Sequence, residues 1–290
     1  MYSRYCRSML CTPAVAEDRF DRCHRSGADI CLVDLEDSIP ANRKSEARRK
    51  AAAFFAPAAD VPVRCAVRIN SLTEPDGLRD LLALRNYRIR PSILLIPKVE
   101  SGRDLEIVEQ VLGADQPELE LLAVVETPRG LEQLNSIVAA SGRLRAVIFG
   151  SADYAAALGI GLDWEPLVHA RAMLVNAARA ARVDAIDSPL FDLSDPGLLQ
   201  QEAERARALG FTGKIALHPR QVPVINKVFS PNAAEFEQAR QILAAAARSG
   251  QGITTVHGSM VGRPFFDASR QLLAEFEPEL ATGPASSEIR

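Results

Sequence analysis

Lysine is scarce in this chain: among 34 basic residues only Lys44, Lys50, Lys98, Lys214 and Lys227 are lysines. Cysteine offers no framework either. The five cysteines (Cys6, Cys11, Cys23, Cys31, Cys65) form an odd set without CxxC spacing, which excludes a disulfide scaffold and a cysteine zinc site. No run approaches the roughly 18 apolar residues of a membrane span, and MYSRYCRSML lacks the apolar core of a secretory leader. The expectation is a cytoplasmic protein with no membrane partner. A formal net charge of −3 leaves no concentrated basic excess for counterion release, so nucleic acid is excluded as a partner. No GxGxxG, GxxxxGK or HExxH is found, which removes the common nucleotide loops and the zinc-hydrolase helix.

What is present is an ordinary globular composition over 290 residues, 47% hydrophobic and 24% charged. Short apolar runs alternate with segments of helical period. The strand candidates are Ser8–Thr12, Ile30–Leu35, Arg64–Ile69, Ile93–Pro97, Leu121–Val125, Ala146–Phe149, Val183–Ile186 and Lys214–Leu217. Helices are expected at Glu17–Arg25, Lys44–Phe55, Pro75–Arg85, Asp104–Leu112, Leu131–Ala140, Asp163–Arg182 and Asp195–Leu209. Runs such as SILLIP and ELLAVV, apolar at nearly every position, suit parallel strands covered by helices. Eight such units predict an α/β fold, a TIM (β/α)8 barrel over 1–229. Residues 230–290 are read as a C-terminal helical extension, with helices at Pro231–Ser249 and Phe265–Phe276 and a frayed TGPASSEIR end.

Barrel active sites lie at the C-terminal ends of the strands, and those ends are rich in polar residues here. Strand two runs into Glu36 and Asp37, strand three carries Arg68 and Asn70, and strand four ends in Lys98 and Glu100. Strand five ends in Glu126, strand six shortly before Asp153, strand seven in Asp187 and strand eight in His218. Glu126 and Asp153, from adjacent strands, can converge on one hard cation, and two carboxylates with waters and substrate oxygens suit Mg2+. The alternative is that Glu126 caps the following helix and Asp153 starts the next. Arg68 needs an anionic partner: a substrate carboxylate or enolate oxygen, or an internal bridge to Glu36 or Asp37. Glu36 and Asp37 can equally form a buried hydrogen-bonded ladder beneath a site.

Lys98 is the one lysine at a strand's C-terminal end, hence the one Schiff-base candidate, but its acidic neighbours oppose the depressed pKa such a lysine needs. Metal-assisted chemistry is therefore preferred. Lys214 starts its strand and is expected at the opposite, stability face. The basic run Arg43–Lys50 is a solvated helix face or a docking patch for a phosphorylated handle.

Nine strings in order, RSMLCTPA, ADICLVDLEDSIP, KSEARR, VRINSL, LLIPKVES, VVETPRGL, VIFGSADY, GKIALHPRQ and GSMVGRP, resemble the citrate lyase β-subunit-like branch of the HpcH/HpaI aldolase and lyase family. The resemblance implies a Mg2+-dependent carbon–carbon lyase that cleaves a small 3-hydroxyacyl-CoA of citryl, malyl or citramalyl type into a 2-oxo acid and an acyl-CoA. It implies Glu126 and Asp153 as metal ligands and Arg68 and Glu126 as substrate-binding. Catalysis would involve Arg68, Glu36 and Asp37, the two carboxylates lying against the metal waters. Assembly as a homotrimer or hexamer, with citrate-lyase-type partner subunits, belongs to the same implication.

The sequence departs from the family pattern in its tail. Many members read G-x-M-V-D there, the aspartate serving as acid or base from an adjacent subunit, whereas this chain has Gly262. Two alternatives follow: a CoA-independent 2-oxo acid aldolase, or a weakened citrate-lyase-like subunit that binds ligand without turnover.

Overall fold

The computed structural model describes residues 5–56, 61 and 63–281, with side chains to 275. The expected frayed end therefore lies outside the described residues. These residues divide into two compact units, one running Tyr5–Phe229 and one beginning at Ser230.

In the first unit β1 (Ser8–Pro13) leads to α1 (Phe20–His24), β2 (Ile30–Asp34) to α2 (Lys44–Ala51), β3 (Arg64–Arg68) to α3 (Pro75–Arg85) and β4 (Ile93–Ile96) to α4 (Gly102–Leu112). After β5 (Glu120–Val125) come α5 (Pro128–Glu132) and α6 (Leu134–Ala139); after β6 (Leu144–Phe149) come α7 (Ser151–Leu158) and α8 (Trp164–Ala181). β7 (Asp184–Asp187) precedes α9 (Pro196–Leu209), and β8 (Gly213–Ala216) precedes α10 (Val222–Phe229). All eight strands pair in parallel in sequence order, and β8 closes on β1 with Ser8 opposite Lys214. This is the expected (β/α)8 barrel.

The alternation along each strand divides its side chains into two cores. Met9, Ile30, Leu32, Ile93, Leu95, Leu122, Val124, Ile148, Ile186 and Ile215 fill the barrel, while Leu10, Val33, Val67, Leu94 and Val147 pack outward beneath the helices. Both faces are buried, which explains why these strands read as continuous apolar runs. One expectation changes. The helix expected at Leu131–Ala140 is two helices with Gln133 at the join, and α7 is a helix with Asp153 in its first turn, as the alternative reading of Asp153 has it.

Asp187 was expected at the mouth of the barrel, but it follows inward-facing Ile186 and so points outward. There it accepts from Arg171 Nε of α8 at 2.9 Å and from Lys214 Nζ of β8 at 2.6 Å, and Lys214 also reaches Glu202 of α9 at 2.6 Å. Burial alone would push the Asp187 carboxyl up, yet Lys214 and Arg171 hold it below its ordinary value. The cluster joins two strands to two helices and is structural. Asp187→Ala should therefore destabilise the protein by about 3–5 kcal/mol, because a buried ion pair broken on one side leaves uncompensated charge. Chemical denaturation measures this, and a loss below about 1 kcal/mol would contradict the assignment.

The second unit contains α11 (Ala233–Arg248), an antiparallel hairpin of β9 (Thr254–Val256) and β10 (Ser259–Val261), and α12 (Arg263–Ala281). The extension is thus not purely helical. The turn residues His257 and Gly258 have φ of +48° and +81°, the left-handed pair that a tight two-residue hairpin demands. Ile242, Ala246, Val261 and Phe266 form its small core. No helix among the described residues is long and apolar enough to cross a membrane.

Candidate active site

Following the inward period of two to the ends of β2 and β3 and one step past β5 places the polar residues. From Ile30 and Leu32 the next inward position is Asp34; from Ala66 it is Arg68; from Leu122 and Val124 it is Glu126. Asp34 and Arg68 are register partners on β2 and β3. The guanidinium grips the carboxylate with both forks, Nε to Oδ1 at 2.7 Å and Nη2 to Oδ2 at 2.8 Å. Asp34 is fully buried and also accepts from the Glu36 and Ser38 amides and the Ser38 hydroxyl. Burial would push its carboxyl up, but Arg68 and these donors hold it below the ordinary range. The sequence reading passed over Asp34, though the same alternation would have found it.

Asp34 fixes the turn that presents Glu36 and Asp37. Arg68 Nη1 lies 2.9 Å from Glu36 Oε2 and 3.3 Å from Asp37 Oδ2. Lys98 Nζ donates to Glu36 Oε1 at 2.5 Å and lies 3.5 Å from Asp153 Oδ2. Lys98 sits at φ +50°, a left-handed conformation that costs a non-glycine residue energy. Its backbone amide donates to Glu126 Oε1 at 2.8 Å, which offsets that cost.

Glu126 is 4% exposed. It fits only because position 150 is glycine: a Cβ there would lie 2.3 Å from Glu126 Oε2 and 2.4 Å from its Cβ. Burial, then the charges of Glu36 and Asp153, push the Glu126 carboxyl up to about 8. Burial also lifts Glu36 to about 7, against the pull of Arg68 and Lys98. Asp153 stands in the first turn of α7, where the helix dipole favours a carboxylate.

Arg68, Asp37, Glu126 and Asp153 line a cavity of about 330 Å³ at the C-terminal end of the barrel, and Glu36 is bonded to Arg68 and Lys98 beside it. One side is polar, with Asp34, Asp37, Ser38, Arg68, Glu126 and Asp153; the floor is Cys11, Leu32, Leu95, Val124, Ile148 and Ile215. Pro189, Phe191 and Leu217 complete the rim.

Other residues from the strand ends are engaged elsewhere. Asn70 bonds Asp80 and the Leu35 carbonyl, and Glu100 accepts from Thr127 Oγ1 at 2.8 Å. His218 caps its own turn through the Arg220 amide. In the Arg43–Lys50 run, Lys44 holds the Leu35 and Glu36 carbonyls, Arg48 pairs with Asp76 and Asp80, and Arg43 and Lys50 pair with Glu46. Arg49 of the same run is exposed and bonds only Ser45. Arg19 and Arg22 follow β1 and Arg220 follows the adjacent β8, all three are exposed, and none has a carboxylate in ion-pair range among the described residues. Their charges, after burial, push the His218 imidazole below its ordinary pKa.

Five carboxylates (Asp34, Glu36, Asp37, Glu126, Asp153) thus face two cations, Arg68 and Lys98. Glu36 Oε2 is buried and, despite the close guanidinium, receives no aligned hydrogen bond. Among the described residues no set of three His, Cys, Asp or Glu side chains converges as a metal cage. An all-oxygen site with few protein ligands and excess negative charge fits a hard divalent cation that keeps positions for water and substrate.

The HpcH/HpaI aldolase/citrate lyase family description matches residues 7–219. The citrate lyase subunit beta of Escherichia coli K12 is 31% identical, with 93% of each chain covered. The human mitochondrial citramalyl-CoA lyase is 32% identical, covering 89% of this chain and 82% of its own. The (3S)-malyl-CoA thioesterase of Cereibacter sphaeroides is 34% identical over 93% and 94%. Among solved structures, CitE from Mycobacterium tuberculosis in complex with magnesium, acetoacetate and coenzyme A superposes with a TM-score of 0.80 at 29% identity, covering 94% of this chain and 98% of that one.

Proposed function

The chain belongs to the HpcH/HpaI aldolase/citrate lyase family, and on that premise we propose that it is a Mg2+-dependent carbon–carbon lyase cleaving a small 3-hydroxyacyl-CoA of citryl, malyl or citramalyl type into a 2-oxo acid and an acyl-CoA. The observation that carries the reading is the convergence of Glu126 and Asp153 with Arg68 across one cavity at the barrel mouth. The magnesium in a related structure supports the choice of ion. The coenzyme A in a related structure supports a CoA thioester substrate over a CoA-independent aldolase. The five free thiols suit a reducing, cytoplasmic setting.

In this reading Glu126 and Asp153 hold the ion. Bound there, it supplies Lewis acidity toward the hydroxyl and carboxylate oxygens of the substrate. Arg68 stabilises the charge that develops on the forming carbonyl oxygen, already oriented by Asp34. Glu36, held between Lys98 and Arg68 with its carboxyl raised to about 7, is suited to accept the hydroxyl proton near neutral pH. Asp37, on the same turn, shares Arg68 and keeps the polar wall anionic. As the carbon–carbon bond breaks, its electron pair passes to the thioester enolate, whose carbon must then take a proton. The second unit reaches the mouth of a neighbouring copy in a homotrimer or hexamer, and citrate-lyase-type partner subunits belong to the same proposal.

A second reading is thioester hydrolysis, which the similarity to a malyl-CoA thioesterase favours. Both readings turn on Gly262. A Cβ at that position would meet only Ile253 Cγ1, at 3.6 Å, so Gly262→Asp is sterically accommodated. With the lyase mechanism, adding this carboxylate should raise cleavage of malyl-type thioesters by about 10²-fold, the usual scale of a general acid. Chromatography of the products decides between the readings. A 2-oxo acid with acyl-CoA supports the lyase, whereas free CoA with the intact hydroxy acid means hydrolysis. No metal-dependent product from any hydroxyacyl-CoA would leave a binding subunit.

A further inference from the structure

The turn that carries Glu36 is tied to the rest of the barrel by a lysine that does not line the cavity. Glu36 is held at both ends of its backbone. Its amide donates to Asp34 Oδ1 at 2.9 Å, and its carbonyl accepts from Lys44 Nζ at 2.8 Å and from the Ile39 amide at 2.9 Å. The Ile39 bond lies within the turn and moves with it. Lys44 belongs to α2, so its bond fixes the turn against a separate element. Nζ also donates to the Leu35 carbonyl at 3.0 Å and to Asn70 Oδ1, which together use the three protons of the ammonium.

Two observations separate Lys44 from an ordinary lysine on a helix surface. Arg43 and Lys50 of the same segment pair with Glu46, whereas Lys44 has no carboxylate in ion-pair range among the described residues. Its partner Asn70 is itself clamped. Asn70 is 1% exposed, and its backbone amide and Nδ2 donate to Asp80 Oδ2 at 2.7 and 2.6 Å, while Nδ2 also reaches the Leu35 carbonyl at 3.0 Å. Asp80 is fully buried and paired with Arg48. With Nδ2 committed as donor, Oδ1 is left to accept, and the ammonium is its complement. Asn70 lies two residues beyond Arg68, so one lysine relates the turn after β2 to the end of β3. Resting on the lyase reading above, we propose that Lys44 is a positioning residue: through the Leu35 and Glu36 carbonyls and Asn70 it sets Glu36 against Arg68 and keeps the proton acceptor aligned with the substrate hydroxyl. Arg68 and Lys98 hold the carboxylate, and Lys44 holds the backbone from which it hangs. Misplacing such a group by about 1 Å costs about 10²-fold in rate.

Lys44→Met keeps most of the stem and removes the donors. In the full chain with Mg2+ and a hydroxyacyl-CoA that the wild type cleaves, kcat should fall about 10²-fold while KM stays within about 3-fold, the split expected of a group that matters in the transition state. Turnover is compared at a temperature at which denaturation curves show both proteins folded, so that a loss of stability alone does not enter. A kcat within about 3-fold of the wild type, or a loss that falls on KM instead, overturns the proposal. If Lys44→Met does not fold, Lys44→Gln, which keeps one amide donor, is held to the same thresholds. Crystal structures of the wild type and the variant give a readout without turnover: the Glu36 carboxylate should part from Arg68 Nη1 by more than about 1 Å, and an unchanged contact overturns the proposal. Absence of cleavage of every hydroxyacyl-CoA by the wild type removes the lyase reading, and the two structures then decide the positioning by themselves.

Discussion

Glu126→Gln is expected to lower metal-dependent turnover by at least about 10³-fold, the equivalent of about 4 kcal/mol of transition-state stabilisation. Glutamine keeps the size of the side chain and an oxygen for the Lys98 amide, so the packing against Gly150 is preserved and only the charge is removed. The effect should appear first in metal affinity, and it carries a pH signature. Without a cation the Glu126 carboxyl stands at about 8, raised by burial and by the charges of Glu36 and Asp153. A metal ion must displace that proton, so below about pH 8 the apparent affinity falls by about tenfold per pH unit through this group, and above it the dependence levels off. Calorimetry in buffers of different ionisation enthalpy measures the proton released per ion bound. Wild-type protein should release most of one proton near neutral pH, and the glutamine variant distinctly less. Unchanged affinity and proton release in the variant would remove Glu126 from the metal site. Asp153→Asn should weaken affinity in the same direction, and by less, because Asp153 is 41% exposed and solvent screens its charge.

The barrel was legible because its strands are apolar on both faces and regularly spaced by helical segments. Helix α7 was legible only as an alternative reading of Asp153, since SADYAAAL is a short alanine-rich segment without a marked apolar face. The site was legible in outline from residue types at the ends of the strands, but position near an end does not say which way a side chain points. Parity does. Two steps from Leu32 lies Asp34, two from Ala66 lies Arg68 and two from Val124 lies Glu126, all inward, whereas Asp187 is one step from inward-facing Ile186 and turns to the helices. The ion pairs of the basic run Arg43–Lys50 could not be read from composition, because Asp76 and Asp80, the partners of Arg48, lie some thirty residues away. Conversely, the charges of Arg19 and Arg22 reach His218 because β8 closes on β1, a long-range contact that no local pattern records.

Arg68 should show the largest combined effect on folding and chemistry, and the two can be separated. Arg68→Ala leaves Asp34 fully buried without its counter-charge, which should cost about 3–5 kcal/mol of stability at neutral pH. The sign of the pH dependence follows from Asp34. In the wild type its carboxyl is depressed, so its contribution is present above the unfolded carboxylate pKa of about 4 and fades as pH falls through the folded value. Without Arg68 burial prevails, the carboxyl rises, and the deficit of the variant should shrink as acid neutralises Asp34. Arg68→Ala combined with Asp34→Asn should recover most of the stability by removing the stranded charge, yet turnover should stay at least about 10²-fold down, because the guanidinium that meets the substrate oxygens is still missing. Arg68→Lys tests the same division from the other side. It keeps the charge but cannot make the two-pronged contact with Asp34, so it should fold better than the alanine variant and remain catalytically poor. Stability and activity recovering together in the double variant would mean that Arg68 only neutralises Asp34, and the role in substrate binding would then pass to another donor.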